Sequence, residues 1–96
     1  MSCLFSPEAE NDLIEIALRI AADNPSRALT FAEELPEHCQ RLALNPGVGR
    51  KRLDLHPGLR SFAHGMYLIF YTGMDDGIRV ERIIHGARDL YSLFEN

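Results

Sequence analysis

Two cysteines in 96 residues, Cys3 and Cys39, lack the paired spacing of a zinc site or a redox dithiol, so no metal centre is expected. Both sit in apolar company and read as buried free thiols. No apolar stretch is long enough to span a bilayer, and no signal peptide or lipidation signal is visible, so the expected location is the cytoplasm, away from membranes. An excess of positive charge is missing as well: Lys and Arg number 10 against 14 Asp and Glu, for a net charge of −4. Proteins built to grip nucleic acid are usually basic, because phosphate neutralisation supplies most of their affinity, so no direct nucleic-acid binding is expected of this chain alone. There is no Gly-rich phosphate loop, no Ser/His/Asp arrangement and no carboxylate–histidine metal spacing. The histidines His38, His56, His64 and His85 are scattered, and no cofactor is implied.

What is present is one ordinary globular domain spanning residues 1–96, 46% apolar and 25% charged. Its charge is unevenly spread. Residues 1–40 hold two arginines, Arg19 and Arg27, against eight acids, whereas residues 41–88 hold eight basic groups against four acids. An acidic half joined to a basic half suggests complementary protein surfaces.

The order of elements follows from capping and periodicity. Ser2–Phe5 is a short apolar run ahead of Ser6-Pro7-Glu8, where Ser6 suits an N-cap, Pro7 the first helical position and Glu8 the positive end of the helix dipole. Helix one is predicted over about 7–22, with Ala9, Leu13, Ile16, Ala17 and Ile20 at core spacing. It carries a second apolar row, Ile14, Leu18 and Ala21, which either packs inside the domain or forms a surface that another chain covers. Asn24-Pro25 repeats the capping pattern and opens a helix over about 25–44, using Ala28, Phe31, Ala32, Leu35, Cys39 and Leu42. Pro36 predicts a kink there without an end, because the apolar phase continues across it.

Residues 47–58 read as a loop containing the basic run Arg50-Lys51-Arg52, expected to be solvated. Beyond it the period becomes two, predicting strands over Leu59–Ala63, Met66–Thr72 and Ile78–Ile84, joined by His64-Gly65 and by the turn Asp75-Asp76-Gly77. Strict alternation places Ile78, Val80, Arg82 and Ile84 on one face of the last strand, with Arg79, Glu81, Ile83 and His85 on the other. The fold class is α+β in the order β-α-α-β-β-β, with a helical hairpin on one face of a mostly antiparallel sheet.

Two chemistries fit the residues near the sheet end. Arg60 and Arg82 are placed to converge there, with His85, Arg88 and Tyr91 following. Such a cluster would hold a partner's carboxylates. It would also suit metal-free RNA cleavage, with His85 or Tyr91 as acid or base and Arg60 and Arg82 stabilising phosphorane charge. The second needs an acid, a base and cations at one point, and the sequence supplies only the candidates. For His85, a structural role at the strand end competes directly.

Several segments in order resemble the RelE/ParE superfamily of toxins from type II toxin–antitoxin systems. Ser6-Pro7-Glu8-Ala9-Glu10-Asn11-Asp12-Leu13 is similar to its first-helix signature, and Asn45-Pro46-Gly47-Val48-Gly49-Arg50 to its helix ending. Pro57-Gly58-Leu59-Arg60-Ser61-Phe62 and Tyr67-Leu68-Ile69-Phe70-Tyr71 resemble its strands. Arg82-Ile83-Ile84-His85-Gly86-Ala87-Arg88-Asp89-Leu90 resembles the closing strand and tail of the ParE type. The resemblance covers nearly the whole chain. Pro36 departs from the pattern.

The resemblance implies a RelE/ParE-like fold and a toxin that inhibits DNA gyrase by protein–protein binding, without being an enzyme. It implies neutralisation by a cognate ParD-like antitoxin and a part in plasmid maintenance or stress response. On that reading Ile14, Leu18, Ala21, Arg60 and Arg82 meet the antitoxin, and His85, Arg88, Asp89 and Tyr91 are candidates for gyrase inhibition. The alternative within the superfamily is a RelE-like, ribosome-dependent mRNA endoribonuclease using Arg60, Arg82, His85 and Tyr91. The acidic balance, the incomplete set of cations and the Gly-Ala-Arg-Asp tail favour the ParE branch.

Overall fold

Ser6 begins helix formation as its residue type predicts. In the computed structural model, which describes residues 2–87, its Oγ accepts the Ala9 N–H at 2.9 Å and donates to the Glu81 carbonyl at 2.7 Å. One side chain thus caps the helix and ties it to a strand 75 residues away. The first strand, β1, is Ser2–Phe5, and the helix that follows, α1, is Pro7–Asp23. Asn24 ends one helix and starts the next. Its N–H bonds to the Ile20 carbonyl at 2.8 Å and its side chain accepts from Arg27 N at 3.1 Å, opening α2 over Pro25–Leu44. The two helices pack on one another, and α2 runs on through Pro36 with Leu35, Cys39 and Leu42 all buried. The predicted stripe of α2 errs at Ala32, which is exposed, while Ala43 joins the core.

A short 3-10 turn at Pro46–Val48 follows. The expected loop then yields a two-residue edge strand, β2, Arg50–Lys51, before β3 (Leu59–His64), β4 (Tyr67–Met74) and β5 (Gly77–His85). The sheet order is β1-β5-β4-β3-β2, with β1 parallel to β5 and the other pairs antiparallel. The expected α+β fold is therefore present, with β2 added in a stretch too short and too charged to show strand periodicity.

The core lies between the helices and one sheet face. Ala9, Ile16, Phe31, Leu35, Cys39, Leu42 and Ala43 meet Ile69, Tyr71, Ile78, Val80 and Ile83. The opposite face carries a smaller cluster, Leu59, Phe70 and Ile84, partly roofed by Leu55 from the 52–58 loop. Arg52 is structural: its guanidinium lies 5.6 Å from the Phe70 ring centroid, pairs with Asp54 at 3.2 Å and reaches Ser61 at 3.5 Å. Of the basic run, only Arg50 and Lys51 are exposed as expected. Cys39 is buried and Cys3 half-buried, both as free thiols; a hydrogen bond with Cys3, together with burial, pushes the Cys39 thiol far up.

Strict alternation fails in β5. Phe70 pairs with Arg82 and Tyr71 with Val80, leaving Glu81 as an extra residue, a β-bulge. Ile78 and Val80 face the helices, and beyond the bulge so does Ile83, while Ile84 joins the opposite cluster. The extra residue advances the side-chain phase by one, which no period-two count along the sequence can anticipate. Among the described residues no helix is long and apolar enough to cross a membrane.

Candidate functional site

The bulge is held from α1. Asp12 accepts Arg82 Nε at 2.7 Å, Arg82 Nη2 at 2.9 Å and the Ile83 backbone N–H at 3.0 Å. Its carboxylate thus receives three donors at the point where the strand loses phase. The hydrogen bond to Asp12 raises the Arg82 guanidinium above its usual range, against the opposing cost of burial. Asp12 lies on the same helical face as Ala9 and Ile16, about one turn from each. Read by pattern alone, it is a polar interruption of an apolar stripe, and that interruption was the available signal for this tie.

Arg60 is engaged elsewhere. Its Nη1 donates to the carbonyls of Gly47 at 3.2 Å and Gly49 at 2.8 Å, holding the turn that follows α2. Tyr71 binds the same turn from below: its hydroxyl accepts Gly49 N–H at 2.8 Å and donates to the Pro46 carbonyl at 2.9 Å. Burial pushes the Tyr71 hydroxyl up, so it remains a protonated donor. The expected convergence of Arg60 and Arg82 is not found. They stand on opposite sides of β4 and hold different elements, the Pro46–Gly49 turn and α1.

His85 closes β5. Its Nδ1 accepts the Ala87 N–H at 3.1 Å and its ring meets the Tyr67 ring at 84° with centroids 5.5 Å apart. A nitrogen that accepts a backbone N–H at the strand end is the structural role set against catalysis from the sequence. Arg88, Asp89 and Tyr91 lie outside the described residues. Within them, Arg60, Arg82 and His85 do not meet as cation, acid and base, and no group of three or more His, Cys, Asp or Glu side chains is arranged to hold a metal ion.

The second apolar row of α1 is on the surface. Ile14 is 58% exposed and Leu18 67%, with Ala21 half-buried. Ile14 also lines a groove of about 370 Å³ with Phe5, Glu10, Leu13 and Pro36, where β1 and both helices come together. A helix of a small domain needs one apolar stripe for its own core. This one has two, and Leu29 on α2, 70% exposed, lies outside its own helix's stripe in the same way. The sequence does not single out Leu29, because a lone leucine off the stripe is common on protein surfaces.

Residues 3–90 match the family model described as the ParE toxin of the type II toxin–antitoxin system parDE. The chain is 32% identical over 89 residues to Toxin ParE1 of Mycobacterium tuberculosis, in strains CDC 1551 / Oshkosh and H37Rv, covering 91% of each protein. A solved chain from the chromosomal ParDE TA system of P. aeruginosa is similar in fold, with a TM-score of 0.74 at 23% identity, covering 88% of this chain and 95% of that one.

Proposed function

This chain belongs to the ParE toxin family of type II toxin–antitoxin systems, and from that premise we propose that it acts in the cytoplasm by binding proteins: it poisons DNA gyrase and is silenced by a ParD-like antitoxin. The observation that carries the binding reading is the uncovered row Ile14 and Leu18 beside the groove formed with Phe5, Leu13 and Pro36. An antitoxin segment laying apolar side chains along α1 would bury this row, with Ala21 at its end. Arg60 and Arg82 are the proposed polar contacts toward the sheet. His85, with Arg88, Asp89 and Tyr91, remains the proposed contribution to gyrase inhibition.

A non-enzymatic mode is supported by how the arginines are used. Stabilising a phosphorane requires cations aimed at one reacting centre. Arg82 is bound by Asp12 and Arg60 by two backbone carbonyls, on separate sides of the central strand. The test is gyrase supercoiling with purified chain at micromolar concentration. Inhibition with accumulation of cleaved DNA is the expected result. Unimpaired supercoiling, with cleavage of messenger RNA in a translating ribosome that is lost in His85→Ala, replaces this reading with the endoribonuclease one.

A further inference from the structure

His38 on α2 and His64 at the end of β3 bring their Nδ1 atoms to 2.8 Å of each other, across 26 residues of chain. At that distance one nitrogen carries the proton and the other presents a lone pair. If both rings are protonated, two N–H donors face each other with no acceptor between them, and the contact becomes repulsive. His38 meets the Phe62 ring edge-on at 5.4 Å, and His64 meets the Phe31 ring at 5.8 Å. His64 begins the turn at Gly65, whose φ of 59° sets the β3–β4 hairpin, and it lines a groove of about 330 Å³ with Ile20, Arg27, Phe31, Met66 and Tyr67.

We propose that His38 and His64 form a one-proton clasp between α2 and the β3–β4 hairpin, which opens when the second imidazole is protonated and so makes the adjoining groove responsive to mild acid. It goes beyond the reading of the chain as a toxin and does not depend on the toxin's target. The neighbouring groups favour the single-proton state. Burial lowers both imidazoles below the ordinary range; His64 itself and Arg41 act in the same direction on His38, and Arg27 and Arg41 do so on His64. Glu34 alone opposes them, at His64, and it is already paired with Arg27 at 2.8 Å. Those charges all stand on α2, while β3 and β4 contribute the rings of Phe62 and Tyr67, and α1 contributes Ile20.

The direction of the pH effect follows by linkage. With folded-state values below the unfolded value of about 6.5, the unfolded chain binds protons first. The clasp's contribution is therefore full above about pH 6.5 and is lost as pH falls below it.

The test is a histidine ¹⁵N titration of the full chain from pH 8 to pH 5, together with amide exchange in residues 62–67. Above pH 7 one Nδ1 should be protonated and the other bare, and the two rings should titrate in steps separated by about one pH unit or more. Hairpin exchange, corrected for its intrinsic pH dependence, should rise about tenfold on acidification, as expected if the open clasp binds its protons about one pH unit more readily than the closed one. His38→Asn keeps a polar amide near the Nδ1 position but cannot titrate, so it should abolish the acid response. His64→Asn provides the same test from the other side, and His56→Gln, at an exposed histidine on the 52–58 loop, should leave the response intact. Independent titration of His38 and His64 near 6.5, or an acid response that persists in both Asn variants, overturns the proposal.

Discussion

Leu18→Ala separates partner surface from core. Leu18 is 67% exposed, so the free domain gains little from it, and the substitution puts the best helix former in mid-helix. Its effect on the stability of the free chain should stay within about 0.5 kcal/mol. Covering it in a complex is another matter. Full burial of a leucine is worth roughly 1.5–3 kcal/mol, and about two-thirds of that remains to be gained here. Loss of about 1–2 kcal/mol weakens binding roughly five- to thirtyfold. Leu18→Asp adds the desolvation of a carboxylate and should weaken it further, by a hundredfold or more as an order of magnitude. The assay pairs calorimetric titration of a ParD-like antitoxin with thermal melts of each free variant. Ile16→Ala is the control for burial: at 6% exposure it should cost the free chain roughly 2–5 kcal/mol. If Leu18→Ala lowers the melting temperature as Ile16→Ala does, the row is core after all. If it melts normally and the antitoxin binds as before, α1 is not the docking surface.

Asp12→Ala should destabilise the chain by about 2–4 kcal/mol, slightly below the usual cost of breaking a buried pair because the Arg82 side chain keeps 22% exposure. Denaturant unfolding measures this, and Asp12→Asn, which keeps an acceptor for Ile83 N–H, should lose less. Gly77→Ala should displace β1, since a Cβ there would lie 1.8 Å from the Ser2 carbonyl oxygen. Overpacking against backbone costs roughly 1–3 kcal/mol, seen as a lower melting temperature and faster amide exchange at residues 2–5. Tyr71→Phe removes the hydroxyl shared by Gly49 N–H and the Pro46 carbonyl, leaving a buried donor unpaired for about 1–3 kcal/mol, with exchange at Gly49 as the local readout.

Capping and apolar period carried most of the architecture. Ser6-Pro7 and Asn24-Pro25 start both helices where the residue types predict, since a cap is a local interaction between a side chain and a nearby backbone N–H. The strand ends were legible within a residue or two, for turn residues such as Gly65 act locally too. What stayed hidden was non-local. The bulge at Glu81 is tied to the α1 cap Ser6 and to Asp12 of α1, seventy or more residues earlier. The two-residue β2 exists because β3 offers it an edge. Arg60 and Arg82 read as a converging pair because sequence gives the strand positions but not the partners that claim each guanidinium.

That last point bears on function through polar satisfaction. Among the described residues, every buried side-chain nitrogen or oxygen has a hydrogen-bond partner. A site that awaits an anionic transition state keeps donors aimed at the place where charge will develop. Here the arginines proposed for such a role hold a bulge and a turn in place. The apolar side chains the fold leaves exposed include Ile14 and Leu18 on α1 and Leu29 on α2, with the groove beside Pro36. In a domain of 96 residues, whose own core is necessarily small, covering that surface would add to its stability. An antitoxin that covers the row would therefore stabilise the toxin's fold by the same contacts that occupy its surface.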